Sequence, residues 1–138
     1  MYLLDTNVIS ELRKPRPHGG VVAWVASVPD RELFLSALTL GELQAGVERT
    51  RRQDPARASE IEAWIDLVEN SWQLIPLDAP VLREWARLMD RRSDHLLEDA
   101  MIAATARVYK LTVATRNARD FQHFDVPLVN PFLFRPAP

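Results

Sequence analysis

Short apolar runs and longer amphipathic segments alternate along this chain of 138 residues. The apolar runs are rich in residues that favour strands, and most are followed by segments whose apolar positions recur at helical spacing. The predicted strands are Tyr2–Leu4, Leu33–Leu35, Gln73–Leu77, Leu111–Thr115 and Pro127–Val129. The predicted helices are Val8–Arg13, Val21–Val28, Leu40–Thr50, Ala56–Ser71, Val81–Arg92 and Leu97–Tyr109. The segment "KPRPHGG" at 14–20 is predicted to connect two helices.

This alternation of strands and helices predicts an α/β fold. Because crossovers between parallel strands are right-handed and bury both faces of the sheet, we expect a three-layer α/β/α sandwich around a mostly parallel, five-stranded sheet. The length predicts a single domain spanning residues 1–138. Asp54 and Asp78 are predicted N-caps, and Thr39 with Glu42 has the spacing of a capping box.

The composition and charge of the chain indicate no membrane segment and no cysteine chemistry. No apolar run approaches the ~18 residues that would span a bilayer, and no basic segment precedes the first apolar run as in a signal peptide, so we expect a cytoplasmic protein without a membrane role. The absence of cysteine excludes disulfides and thiol chemistry. Basic residues form three clusters, interpreted as solvated surface charge: Arg13, Lys14 and Arg16; Arg49, Arg51 and Arg52; Arg116 and Arg119.

The histidines and tryptophans suggest no chemistry of their own. His18, His95 and His123 are scattered without the spacing of a zinc site, and we expect them on the surface. The tryptophans fall at helical positions and are expected in the core, where one or two could mark an interface. They are Trp24, Trp64, Trp72 and Trp85.

Four acidic residues fall where predicted strands and helices meet. Asp5 ends the first strand, and Asp120 follows the fourth; Glu42 and Asp99 lie in the first turns of helices. Because ligands of open α/β sheets bind outside the carboxyl ends of the strands, we expect these acids to share one edge. Each alone is more simply a cap that complements a helix dipole, as Asp78 is.

Several carboxylates in one partly buried crevice would repel one another, and a cation relieves that repulsion. Oxygen ligands without cysteine or paired histidines favour a hard ion, Mg²⁺ or Mn²⁺. Thr6, Asn7, Thr115 and Asn117 are placed to orient these acids, and local turn chemistry is the alternative explanation. Arg116 is a candidate phosphate contact or an ordinary surface residue.

At these residues the chain resembles the PIN-domain family, and within it the VapC-type toxins of type II toxin–antitoxin pairs. The matching segments are "LLDTNVISEL", "LTLGELQAGV", "LEDAMIAATARVYKLTVATRNARDF" and "NPF". The resemblance implies a Mg²⁺- or Mn²⁺-dependent ribonuclease that hydrolyses RNA phosphodiesters. Its catalytic and metal-binding acids would be Asp5, Glu42, Asp99 and Asp120, with Asn7 and Thr115 as polar support. Glu98 competes with Asp99 for its assignment.

The resemblance also implies protein partners. The family forms homodimers, and a small cognate antitoxin inhibits the toxin and joins it in binding promoter DNA. We expect an amphipathic antitoxin segment to lie along the helices around Val8–Arg13, Val21–Val28 and Ala56–Ser71. The apolar positions predicted to be exposed there include Trp24, Val25, Ile61 and Ile65.

Two other classes of function stay open. A phosphoryl-transfer or phosphatase-like α/β domain also places an aspartate after its first strand. Here, however, "DTN" lacks the second aspartate of a "DxD" motif, and the only lysines are Lys14 and Lys110. The second alternative is a catalytically inactive PIN-like binding module. The intact acidic set favours catalysis, although neither the RNA target nor the number of metal ions follows from the sequence.

Overall fold

The computed structural model describes residues 1–138 and has a five-stranded parallel sheet at its centre. From one edge to the other, its strands are Gln73–Ile75, Leu33–Ser36, Tyr2–Leu4, Thr112–Ala114 and Leu128–Val129. The strands are β1 (Tyr2–Leu4), β2 (Leu33–Ser36), β3 (Gln73–Ile75), β4 (Thr112–Ala114) and β5 (Leu128–Val129). The helices are α1 (Thr6–Leu12), α2 (Gly19–Ser27), α3 (Ala37–Arg51), α4 (Pro55–Ser71), α5 (Ala79–Met89), α6 (Leu97–Tyr109) and α7 (Ala118–Phe121). Short 3₁₀ turns occupy Asp30–Glu32, Asp94–Leu96, Gln122–Phe124 and Pro131–Leu133.

The sheet has a hydrophobic cluster on each face. Successive side chains of a strand point to opposite faces, and accordingly Leu3 packs with Val113 and with Ile102 of α6 in one cluster. Leu4 belongs to the other cluster, which includes Val8 of α1. Helices therefore cover both faces, which confirms the predicted three-layer sandwich. None of the helices combines the length and the apolar character that crossing a bilayer would require.

A third, smaller cluster joins α3 to α4 through Val47, Ala58 and Ile65. Ile65 and Trp24 are each only 4% exposed. The expectation that these two side chains form an exposed antitoxin contact was therefore wrong, because both are committed to packing within the fold. Trp64, Trp72 and Trp85 are half-buried against the clusters, as expected of core residues, and all three histidines are exposed.

The predicted N-terminal caps of the helices were partly correct. Asp54 and Asp78 do cap α4 and α5, accepting from the backbone N–H groups three residues on. The capping box was wrong: α3 begins earlier, at Ala37, with Ser36 as its N-cap. Thr39 is instead fully buried inside α3, and Glu42 lies in the second helical turn rather than the first.

Several element boundaries also differ from prediction. His18 accepts from the N–H of Gly20, so α2 begins at Gly19, inside the predicted connection. β3 ends at Ile75 because Pro76, which follows it, has no N–H to donate to the sheet. The short helix α7 was not predicted. It matters for function because it carries Asp120.

The strand order reverses at the centre of the sheet. From β1 the chain proceeds outward on one side to β2 and β3, then crosses to β4 and β5 on the other side. The crevice between the carboxyl ends of β1 and β4 is thus the topological switch point, the usual ligand site of open α/β sheets. Asp5 directly follows β1, and Thr115 directly follows β4.

Candidate active site

Asp5 is the carboxylate of this crevice that accepts the most hydrogen bonds from the protein. It is 7% exposed, and its backbone N–H donates to Ala114 O at 2.9 Å, continuing the pairing of β1 with β4. Its Oδ1 accepts from the backbone N of Thr6 at 2.8 Å. Its Oδ2 accepts from Thr115 Oγ1 at 2.8 Å and from Asn7 Nδ2 at 3.1 Å. The protein itself therefore fixes the orientation of this side chain.

Thr115 and Asn7 connect Asp5 to the loop after β4. The Thr115 hydroxyl accepts from the backbone N of Asn117 at 3.0 Å while it donates to Asp5. Asn7 Oδ1 accepts from the backbone N of Arg116 at 3.1 Å. The loop that leads to Asp120 is thus tied to the end of β1. The expected orienting role of Asn7 and Thr115 agrees with these contacts, whereas Asn117 contributes its backbone and not its amide.

Glu42 is held by a threonine that precedes it by more than thirty residues. Thr6 Oγ1 donates to Glu42 Oε1 at 2.8 Å and lies 3.2 Å from Thr39 Oγ1. Thr39 can donate to Thr6 in turn, so the start of α1 and the second turn of α3 share one hydroxyl chain. Burial and the carboxyl of Glu98, which shares a hydrogen bond with Glu42, together raise the pKa of Glu42 to about 7.

Asp99 and Asp120 form the other side of the crevice. Burial and the negative charges of Asp5, Asp120 and Glu98 together raise the pKa of Asp99 to about 6. Burial also raises the pKa of Asp5, against the effect of its hydrogen bonds, and Asp120 adds to this rise. The fold therefore brings Asp5 within electrostatic reach of Glu42, Asp99 and Asp120.

Helix capping accounts for only one of these four acids. Asp5 is the N-cap of α1 and accepts from its first N–H. No side chain caps α6 or α7, although Asp99 and Asp120 lie in their first turns. Glu42 is too far inside α3 to cap it. Side-chain capping therefore does not account for Glu42, Asp99 and Asp120.

The donor chemistry of the crevice fits a hard cation. As the side chains stand, no three His, Asp or Glu groups lie close enough together to enclose an ion. Mg²⁺ does not require such a cage, because it keeps several waters and is usually bound by one or two carboxylates plus substrate phosphate. A preorganised Asp5 facing acids with raised pKa values is consistent with that mode of binding.

Some features of the site were missed or differ from expectation. The contact of Thr6 with Glu42 and the pairing of Glu42 with Glu98 join residues that are distant in sequence, so no local pattern indicated them. Arg116 is exposed, and its guanidinium lies 4.8 Å from the centroid of the Phe132 ring. Its predicted phosphate contact stays a prediction, starting from this stacked position.

Comparison with known proteins identifies the class that this fold and crevice define. A family model described as "PIN domain" matches residues 2–127. The chain belongs to the PIN-domain family. It is 36% identical to Toxin FitB of Neisseria gonorrhoeae, covering 96% of this chain and 99% of the relative. It is 34% identical to VapC ribonuclease Y4jK of Sinorhizobium fredii, covering 96% and 98%.

A solved structure gives the same result for the fold. The structure of FitAB bound to an IR36 DNA fragment matches with a TM-score of 0.83 and 32% identity, covering 99% of both chains. The match spans the whole sheet and its flanking helices. The resemblance to PIN-domain toxins stated from the sequence is therefore confirmed.

Proposed function

We propose that this chain is a metal-dependent ribonuclease and the toxin of a type II toxin–antitoxin pair. The observation that carries the proposal is the crevice at the switch point, where Asp5 lies within electrostatic reach of Glu42, Asp99 and Asp120, three acids that side-chain capping does not account for. The likeness to a VapC ribonuclease and to a toxin of similar length supports it. Residues 1–138 act as one domain.

In the proposed mechanism the four acids together form a cation site. Asp5 and Asp99, together with Glu42, would hold Mg²⁺ or Mn²⁺, and Asp120 would complete the set. When bound, the ion supplies an activated water and neutralises charge on the phosphate. Thr115 and Asn7 keep Asp5 in one orientation, and Thr6 does the same for Glu42. Arg116 lies on the loop beside this crevice and contacts a substrate phosphate.

The proposed partners follow from the relatives. FitAB was solved bound to DNA, and VapBC from Rickettsia felis was solved bound to a fragment of its promoter. We expect this chain to form a homodimer, to be inhibited by a small antitoxin protein, and to meet promoter DNA only through that antitoxin. Cytoplasmic action on RNA is part of the same proposal.

A cleavage assay tests the activity. Purified protein is expected to cut RNA in the presence of Mg²⁺ or Mn²⁺ and to stop when EDTA is added. Protein carrying Asp99→Asn, purified in the same way, controls for contaminating nucleases. Cleavage that survives EDTA in a preparation whose Asp99→Asn counterpart is inactive would show that the activity belongs to the chain but needs no metal.

A further inference from the structure

A groove leads away from the acids between α1, α3 and α4. It has a volume of about 500 Å³ and includes Thr6 and Glu42 at one end. Arg13 and Arg49 line it farther along, with Leu43 and Val47 among its apolar lining residues. The groove is therefore continuous with the proposed active site, and its sign of charge changes from negative to positive along its length.

The two arginines of this groove have no acidic partners. Every ion pair in the structure involves other basic residues, namely Lys14, Arg51, Arg87 and Arg107. Arg51 shows the contrast, because its guanidinium contacts Glu48 and Glu62, each at 3.0 Å. Arg13 and Arg49 are both exposed, so their charges are free to meet a ligand.

Gly46 helps to shape the groove. A Cβ at this position would lie 3.7 Å from Arg49 Nη2, so the guanidinium rests along the groove wall, over the glycine. A second hollow of about 300 Å³ adjoins the groove and shares Arg13 and Ile61 with it; its other lining residues include two basic side chains and one acidic, Lys14, Arg57 and Glu60. The mainly basic surface therefore continues beyond the groove.

We propose that this groove binds the phosphodiester backbone of RNA next to the cleavage site, with Arg13 and Arg49 as its phosphate-contacting positioning residues. The proposal rests on the ribonuclease function above. Without a cation at the acids, an anionic ligand would be repelled by Glu42. A uniformly basic ligand would be repelled by the two arginines. RNA fits both ends, because one phosphate meets the cation at the acids while neighbouring phosphates meet the guanidinium groups.

RNA binding by matched variants tests this proposal. Each variant is made in the Asp99→Asn background, which is expected not to cleave. Binding of a fluorescein-labelled, mixed-sequence single-stranded RNA of about 12 nucleotides, a length typical of single-strand sites, is followed by polarisation in Mg²⁺ at several salt concentrations. Arg13→Gln and Arg49→Gln are compared with Arg51→Gln, whose charge on the same helix as Arg49 is already paired.

Arg13→Gln and Arg49→Gln are each expected to weaken RNA binding about three- to fivefold, the size of one exposed charge contact. Each is also expected to lower the salt slope of log K by about 0.7, the value for one phosphate contact on a single strand. In the cleaving parent, the same changes are expected to raise KM while kcat changes little. Arg51→Gln is expected to leave all three quantities unchanged.

A pair of glycine variants checks the groove without altering charge. Gly46→Gln adds a neutral side chain that a helix tolerates and that displaces Arg49, so RNA binding is expected to fall. Gly41→Gln, on the same helix with no atom within 4 Å of its Cβ, is expected to bind as the parent does. Thermal melts establish that each variant folds.

The outcomes separate the two proposals. Equal losses in Arg51→Gln and Arg49→Gln would overturn the groove in favour of general charge attraction, as would unchanged RNA binding in the Arg13 and Arg49 variants. Variants that lose affinity only for the antitoxin would assign the groove to a protein instead. A chain that binds RNA through Arg13 and Arg49 but never cleaves it would overturn the ribonuclease function alone.

Discussion

Asp5 and Asp99 lie in the same crevice but have opposite surroundings. Asp5 accepts three hydrogen bonds, from Thr6, Asn7 and Thr115. The first two donors belong to α1, and the third lies in the loop after β4. Asp99 accepts none from the protein and faces the negative charges of Asp5, Asp120 and Glu98. One half of the crevice is therefore organised by the fold, and the other half is left for a cation and substrate to organise.

This difference explains how a small domain can hold an acidic site without unfolding. A buried carboxylate is costly unless hydrogen bonds replace its lost water, and the residues around Asp5 supply them. Glu42 and Asp99 are only half-buried and Asp120 is exposed, so protonation of Glu42 or Asp99, or solvent, relieves their repulsion until a cation arrives. Removing either half should therefore affect stability and activity in different proportions.

The largest expected effect comes from breaking the cation-dependent half. Asp99→Asn keeps the shape of the side chain but removes its charge, and RNA cleavage is expected to fall at least about 100-fold, beyond what changes around metal ligands usually cost. The same variant is expected to be at least as stable as the parent in EDTA, because ionised Asp99 faces like charge. Asp94→Asn, an exposed acid just before α6, is the control.

The pH dependence of stability sharpens this prediction. The pKa of folded Asp99 is raised to about 6, so the folded chain holds its proton more tightly than the unfolded chain does. The contribution of Asp99 to stability is therefore greatest below the unfolded pKa near ~4 and is lost as pH rises through about 6. Melts in EDTA from acidic to neutral pH should show a smaller decline for Asp99→Asn than for the parent. An equal decline would exclude Asp99 as its source.

A smaller loss of activity, but a larger loss of stability, is expected from breaking the half organised by the fold. Thr115→Val removes a fully buried hydroxyl that donates to Asp5 and accepts from the backbone N of Asn117. Because the buried carboxylate of Asp5 loses one of its hydrogen bonds and the backbone N of Asn117 loses its acceptor, the free energy of unfolding is expected to fall by about 1–3 kcal/mol. Cleavage is expected to fall about 10- to 100-fold through misorientation of Asp5.

Two matched variants make the Thr115 result specific. Thr115→Ser keeps the hydroxyl and is expected to retain most of the activity. Thr105→Val removes another buried hydroxyl, one that donates only to Met101 O within its own helix, and it should leave cleavage intact. Denaturant melts and RNA cleavage rates measure both quantities. Full activity in Thr115→Val would mean that Asp5 needs no positioning by this residue.

Sequence patterns were sufficient to predict the part of the candidate site that lies at the ends of strands. Asp5 and Thr115 follow apolar strands, and parallel strands bring their carboxyl ends to one edge, so their meeting could be predicted. The other half depends on helix register. Glu42 was assigned to a capping box because Thr39 has the right spacing. Ser36 is the N-cap of α3 instead, so Thr39 lies inside the helix and contacts Thr6. Local spacing cannot choose between two hydroxyl caps that lie three residues apart; the contact of Thr39 with Thr6 of α1 distinguishes them.

The smallest expected effect distinguishes Glu98 from its neighbour Asp99. Glu98 is exposed, and its carboxyl raises the pKa of Glu42 by sharing a hydrogen bond with it. In Glu98→Gln the new amide N–H donates to ionised Glu42, so the pKa of Glu42 is expected to fall and the acidic limb of the pH–rate profile to move to lower pH. Because the pKa of Glu42 is about 7, half of it is protonated at that pH, and full ionisation raises the cleavage rate at most about twofold. Glu98→Ala, which removes the charge without adding a donor, is expected to give a smaller shift. A drop in rate as large as that of Asp99→Asn would instead place Glu98 among the essential acids.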